Sequence, residues 1–377
     1  MSNKFSLCIQ GNAANESEWS GTAYYCGKAL ENYGDVQYFD IKPNASKLVK
    51  ALWRLKQTLQ GKSIFGYQYS KKELEQLNNQ ISDQYTSGTL ISFNQLLPYS
   101  GHFEKLVYYI DCTLEELFNS PTYSIKLSEA RKKELIEIEK KNYQKADAVM
   151  IMGSWLRDSL ETSYGIEPKK IHHVLPGANM AQNSVLPKPL SKTLTIGFVA
   201  KDYKRKGLLY LVELAKQLQV LSIDVKLVLV GECPEEISQL PFVNYLGYIH
   251  KKKQPEKWIE FLQQCHFGAL FSSDEALGIS VLEFLAAGIP VMGYYHQGLK
   301  DTLIEGASVR AKLETPALVM ALSIATVWND EDNYDSMRKE TTKASDYCTW
   351  NRASYTIYNT LKSEVYNQKE RANVKED

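Results

Sequence analysis

The chain has 377 residues, too many for one ordinary core and suited to two domains of about 150 to 200 residues each. Hydrophobic residues make up 44% and charged residues 23%, and Lys plus Arg equals Asp plus Glu at 44 each. That balance excludes a chain-wide pull on polyanions, so no nucleic-acid partner is expected.

The opening residues, MSNKFSLCIQGN, break their apolar run at Gly11, too early for the apolar region of a signal peptide. No later stretch approaches the roughly 18 uninterrupted apolar residues that a membrane span needs. Cys8, Cys26, Cys112, Cys233, Cys265 and Cys348 form no CxxC pair. Without a secretory signal they read as reduced thiols of a cytoplasmic protein, not as zinc ligands or a disulfide framework.

Along the first half, β-rich runs at 5–11, 35–40, 88–93, 105–110, 148–153 and 170–175 alternate with helical patterns at 21–33, 46–60, 127–145 and 154–164. Residues 181–192 (AQNSVLPKPLSK) carry two prolines and no helical period, which reads as a linker. The alternation then restarts: strands at 194–200, 226–230, 243–246, 267–272 and 289–293, with helices at 207–221, 256–265 and 279–287. Helical spacing returns at 315–328 and 352–368, and the polar end from about 369 is expected to be disordered. The fold class is therefore α/β, with two Rossmann-like domains, 1–180 and 193–349. In open parallel sheets ligands bind beyond the carboxyl ends of strands, so the expected site is the cleft between the domains.

Two basic or acidic features compete for a structural or a functional explanation. Residues 41–72 hold Lys42, Lys47, Lys50, Arg54, Lys56, Lys62, Lys71 and Lys72 and no acid. Leu48, Leu52, Leu55 and Leu59 fall at helical spacing there, beside Trp53. Such a helix over 46–60 either makes peripheral contact with an anionic membrane or packs its leucines on the sheet. The triplet Asp330-Glu331-Asp332 is the one DxD-like sequence; it is read as a solvated loop, and no metal or other cofactor is expected.

The most informative stretch is 271–293, FSSDEALGISVLEFLAAGIPVMG. A loop bearing Asp274, Glu275 and Gly278 opens a helix that Gly288 and Pro290 end. Glu283 is the one charged residue of an otherwise apolar helical run, and an unpaired buried carboxylate would cost several kcal/mol. Ribose hydroxyls would satisfy it, and so would a lysine or a route to solvent. Glu275 precedes the helix, where free N–H groups and the dipole attract phosphate. Residues 194–207, LTIGFVAKDYKRKG, place Lys201, Lys204, Arg205 and Lys206 after a strand, positioned to neutralise a diphosphate unless they are simply solvated.

Together these residues resemble the glycogen-synthase-type retaining glycosyltransferases, family 4 or "group 1", of GT-B fold. Glu275 and Glu283 in EALGISVLE match that family's E-x7-E signature, and Lys201-DYKR-Lys206-Gly207 matches its R-x4-K-G motif with lysine in place of arginine. The runs ending at Gly231 and around Gly247 match two further landmarks, and Trp350 with the helix after it resembles the crossover helix that returns to the N-terminal domain. The resemblance implies that a nucleotide-sugar donor binds in the C-terminal domain. Lys201 and Lys206 would hold the diphosphate and Glu275 the transferred sugar. The amides of Ala276, Leu277, Gly278, Ile279 and Ser280 would contact phosphates and sugar. Glu283 would hold the ribose, and Gly247, Tyr248 and Ile249 would lie near the base. Gly21-Thr22 stands where the family has Gly-Gly in its first loop. Asp111 stands near the family's frequent histidine, as an acceptor-side or catalytic residue or as the cap of a helix beginning near Leu114. The implied reaction moves a hexose from a UDP- or GDP-sugar to a hydroxyl of a glycan, lipid-linked or small-molecule acceptor, with retention and without metal. The competing expectation is a GT-B protein that binds the nucleotide-sugar without transferring it.

Overall fold

The computed structural model describes residues 3–59, 66–123, 125–180 and 188–373, with the backbone alone for 363–373. Two compact units divide the chain: Met1–Pro176 with Ala353–Asp377, and Gly177–Arg352. Of the expected linker, residues 181–187 lie outside the described residues.

The first unit runs β1 (Asn3–Cys8), β2 (Gly11–Asn12), α1 (Thr22–Leu30), β3 (Gly34–Tyr38), β4 (Asp40–Ile41), α2 (Lys47–Leu59) and α3 (Lys71–Gln84). It continues through β5 (Thr89–Ser92), β6 (Lys105–Ile110), α4 (Leu114–Asn119), α5 (Glu129–Lys145), β7 (Ala148–Ile151), α6 (Arg157–Thr162) and β8 (Ile171–His173). Six strands form a parallel sheet in the order β3-β1-β5-β6-β7-β8. Its middle strands are apolar runs buried almost throughout, as a parallel sheet covered on both faces requires. Leu74, Leu77 and Ile81 of α3 pack with Leu90 and Leu135 in one core cluster. Tyr108, Tyr143, Val149 and Tyr164 belong to another.

Several elements depart from the sequence reading. Helix α3 was not expected: Ser70 caps it by accepting the Glu73 N–H, and Leu74, Leu77, Asn78 and Ile81 supply its buried stripe. Helix α4 is capped by Thr113, whose side chain accepts the Glu116 N–H, so Asp111 is not its cap. Helix α2 has no buried residue, so its leucines do not pack on the sheet.

The second unit runs β9 (Thr193–Ala200), α7 (Leu208–Val220), β10 (Asp224–Gly231), α8 (Glu235–Ser238), β11 (Val243–Tyr245), α9 (Pro255–Gln264) and β12 (Phe267–Leu270). Then come α10 (Ile279–Ala286), β13 (Val291–Tyr294), α11 (Leu299–Thr302), β14 (Ser308–Ala311), α12 (Ala317–Trp328), α13 (Glu331–Tyr347) and α14 (Trp350–Asn373). The sheet is parallel, in the order β11-β10-β9-β12-β13-β14. Strand order therefore reverses between β9 and β12, which makes the carboxyl ends of these two strands the switch point where ligands bind in such sheets. Leu211, Leu214 and Leu218 of α7, with Met320 and Ile324 of α12, cover Phe198, Leu227 and Phe267 of the sheet.

Asp330-Glu331-Asp332 is not a solvated loop but the start of α13: the Asp330 side chain accepts the Asn333 N–H, and the two acids after it sit in the first turn. Acids there complement the helix dipole, which is why this polar stretch is ordered. From Ala353, α14 belongs to the first unit, where Tyr358 stacks on Tyr33 at 4.8 Å and Lys105 Nζ donates to Leu361 O at 2.9 Å. The helix reaches Asn373, past the tail boundary expected at 369, because the intervening residues are helix formers; residues 374–377 lie outside the described ones. No described helix is long and apolar enough to cross a membrane.

Candidate functional site

The loops after β9 and β12 meet at the switch point of the second sheet. Gly207, which opens α7, has φ +83°, and a Cβ there would lie 2.3 Å from the Phe271 carbonyl oxygen, so no other residue fits without displacement. That close approach lets the loops bond: Phe271 N–H donates to Lys206 O and Ser273 N–H to Arg205 O, each at 3.2 Å. Residues 205 and 206 are thereby fixed against the loop that carries Glu275.

The side chains converge. Lys206 Nζ donates to Glu275 Oε2, and Arg205 Nη1 lies 3.4 Å from the same oxygen while donating to Asp274 O at 2.8 Å. All three side chains are largely covered, with Glu275 9%, Lys206 16% and Arg205 15% exposed. Burial pushes the Glu275 carboxyl up, but Lys206, Arg205 and the Ser272 hydroxyl outweigh it and hold the group below the usual carboxylate range. Glu275 is thus a fixed anion locked between two cations.

A third loop, after β13, braces this one. Glu275 N–H donates to Gln297 Oε1 at 2.8 Å, and Gly298 N–H donates to Glu275 O at 3.2 Å. A Cβ on Gly298 would lie 1.8 Å from Ala276 O, so this contact is open to glycine alone. Leu277 O accepts the Thr302 hydroxyl at 3.1 Å. Ala276 and Leu277 then lead to Gly278, the left-handed N-cap of α10 (φ +84°), which offers no side-chain cap. The first-turn amides at Ile279 and Ser280 therefore keep the anion-attracting character of an uncapped helix start.

Glu283 lies one turn into α10, 2% exposed, among Val281, Leu282, Phe284 and Leu285, all buried. Its partner is Lys251, whose Nζ also sits 4.3 Å from the Trp258 ring centroid. Burial raises the Glu283 carboxyl above the usual range, and Lys251 opposes that only in part. Of the three ways to satisfy this carboxylate, the chain uses a lysine.

The remaining expected residues fall as follows. Lys201, the first residue after β9, is exposed and takes no part in the Glu275 cluster. Gly231 ends β10, and its N–H donates to Gly247 O at 2.9 Å. Gly247, exposed Tyr248 and half-buried Ile249 form the loop that leads directly into Lys251. Gly21 (φ +85°) and buried Thr22 open α1, and Asp111 follows β6; all three belong to the first unit. Lys251 and Gln297 have no role in the sequence reading, and Arg205 has none in it beyond the shared one of the basic run. Arg205 sat inside the noted basic run, whereas Lys251 was one of three consecutive lysines with nothing to single it out. Among the described residues no three His, Cys, Asp or Glu side chains are grouped as metal ligands.

A cation pair, an uncapped helix start and two carboxylates on one switch point suit a ligand that is anionic at one place and hydroxyl-rich at others. Residues 185–344, which contain this site, match the family model described as "Glycosyl transferases group 1". No curated protein sequence matches the chain. Among solved structures, the chain is similar to a sucrose-phosphate synthase from Thermosynechococcus elongatus, with TM-score 0.70 and 14% identity over 99% of this chain and 100% of that one. A glycosyltransferase from Rickettsia africae gives TM-score 0.66 and 13% identity over 97% and 99%. HepE of Anabaena, solved in complex with UDP and glucose, gives 0.64 and 13% over 96% and 100%. At such identities the likeness speaks for the fold. Residues 185–344 thus belong to the group 1 glycosyl transferases, within a chain of GT-B fold.

Proposed function

We propose that the chain is a retaining hexosyltransferase that uses a UDP- or GDP-sugar, needs no metal, and acts on a hydroxyl of a glycan, lipid-linked or small-molecule acceptor on the cytoplasmic side. The observation that supports this reading is the Arg205–Lys206–Glu275 cluster beside the uncapped start of α10. In it, Lys206 and Arg205 orient Glu275 and turn their remaining N–H groups to the diphosphate. Lys201, exposed nearby, closes on the same group, and the amides of 276–280 add backbone donors. Glu275 accepts from hydroxyls of the hexose, and Glu283 takes the ribose hydroxyls in exchange for Lys251. Gly247–Ile249 lies along the base.

The transfer breaks the bond between the anomeric carbon and the diphosphate oxygen. That oxygen takes the proton of the acceptor hydroxyl, whose oxygen bonds the anomeric carbon on the face just vacated. Stereochemistry is retained without a protein nucleophile, and the cations stabilise the charge that develops on the leaving group.

Incubation with UDP-, GDP- and ADP-hexoses tests the reading. A matching donor at 100 times its dissociation constant should stabilise the protein by about 2.7 kcal/mol. With acceptor present, nucleoside diphosphate and a product of unchanged anomeric configuration should appear, insensitive to chelation. Stabilisation without transfer or hydrolysis across an acceptor panel would favour the non-catalytic binder, and no stabilisation by any of the donors would end the proposal.

A further inference from the structure

Helix α2 is built differently from every other α-helix described in its unit, because none of its residues is buried. Leu48, Leu52, Leu55 and Leu59 are 69%, 59%, 58% and 80% exposed. At 3.6 residues per turn they lie within an arc of about 60°. The opposite side, with Val49, Lys50, Trp53 and Gln57, is the half-covered one, and Trp53 meets Tyr67 edge-on at 5.5 Å between ring centroids. The leucine stripe therefore points away from the body to which the helix is attached.

The charge around that stripe has one sign. Lys47 and Arg54 flank it on one side and Lys56 on the other, and 41–72 contains eight cations and no acid in a chain whose net charge is zero. Beside the helix lies a cavity of about 650 Å³ whose lining includes Lys50, Arg54, Tyr67 and Lys126 against a single carboxylate, Glu73. An apolar stripe bordered by cations, next to a cationic hollow, complements a surface that is apolar within and anionic at its face. A second copy of the chain would bring these cations against each other.

We propose that α2 is an interfacial helix that docks the protein on an anionic lipid bilayer, its leucines entering the surface while Lys47, Arg54 and Lys56 meet the headgroups and the adjoining cavity receives one of them. The surface belongs to the first unit and the donor site to the second, so the proposal does not depend on the reaction catalysed.

Co-sedimentation of the full chain with phosphatidylcholine vesicles, with and without phosphatidylglycerol, tests it. Binding should be at least about tenfold stronger to the anionic vesicles and should weaken as salt rises. The L52E/L55E pair should abolish it, K50E/R54E should remove the preference for anionic lipid, and L318E/L322E on α12, whose leucines are also exposed, should leave it intact. Because every substituted residue is exposed or half-exposed, each variant should keep the wild-type melting temperature. Failure of the wild type to bind anionic vesicles, or binding that survives L52E/L55E, would overturn the proposal. So would a change of oligomeric state caused by L52E/L55E in the absence of vesicles, which would mean that the stripe meets a second copy.

Discussion

Lys206 and Glu275, 69 residues apart in sequence, form an ion pair because β9 and β12 are neighbours in the sheet and their exit loops are joined by backbone hydrogen bonds. The pair links a cation suited to a leaving diphosphate with a carboxylate suited to a sugar. The backbone beneath both side chains is held in place: Gly207 admits the Phe271 carbonyl, and Gln297 and Gly298 hold the Glu275 backbone.

Replacing Lys206 by alanine should therefore act on turnover. Removal of one preorganised charge partner of the leaving group lowers kcat by roughly 10² to 10³. Arg205 remains beside Glu275, so the fold should persist and the melting temperature should change little compared with the activity. Steady-state kinetics at saturating donor provide the measurement. Near-normal kcat would remove Lys206 from the diphosphate.

A separate test concerns the second ion pair. Lys251→Met leaves Glu283 buried without its cation and should cost about 2 kcal/mol, less than a fully buried pair because Lys251 is partly exposed. Its pH dependence has a definite sign. The Glu283 carboxyl is already raised by burial, and loss of Lys251 raises it further. A raised folded-state pKa gives stability that is complete below the ordinary carboxyl range and is lost as pH rises through the raised value. The variant should thus be closer to wild type in mild acid than at alkaline pH, and K251M/E283Q should recover much of the loss. Equal destabilisation at every pH would show that Lys251 acts through packing on Trp258 instead.

Gly207→Ala probes the seam between the loops. The left-handed φ and the carbonyl 2.3 Å from the added Cβ together predict a loss of about 2 kcal/mol or more. Because the displaced backbone carries Lys206, kcat should fall as well. Thermal melts with kinetics check both; a variant with wild-type stability and rate would contradict the seam.

The sequence made the large elements readable where period and burial agree, and hid those where they do not. Strands β5 to β7, β9 and β12 are largely apolar runs, and α10 is apolar apart from Glu283, so both announce burial. Helix α13 buries only Tyr334, Thr341 and Ala344 in 17 residues, and its polar text gives no stripe to find. The site followed the same division. Glu283 declared that it needed a partner, because a carboxylate among apolar neighbours must have one, but nothing local said which of Lys251, Lys252 or Lys253 would supply it. Arg205 and Lys206 looked alike as adjacent cations; only the path of the chain between β9 and α7 decides that both reach Glu275 while Lys201 stays outside.

The first unit carries a buried acid of its own. Glu139 on α5 is fully covered; it accepts from the Leu114 N–H at 3.0 and 3.1 Å, from the Tyr143 hydroxyl at 2.7 Å, and from the Tyr164 hydroxyl. Burial pushes its pKa up to about 8, although the two tyrosines and the Leu114 amide pull it down. In the unfolded chain the group returns to the ordinary carboxyl range, so between that range and about pH 8 the folded state holds a proton that the unfolded state lacks. Stability from this group is therefore complete below the ordinary carboxyl range and declines as pH rises from there towards about 8. Glu139→Gln keeps an oxygen for the Leu114 N–H and carries no titrating proton. Wild-type melting temperature should fall across this window while that of the variant falls less, so that the two curves converge or cross at the alkaline end. Parallel curves would mean that Glu139 is ionised throughout, with its three donors sufficient to hold a buried charge.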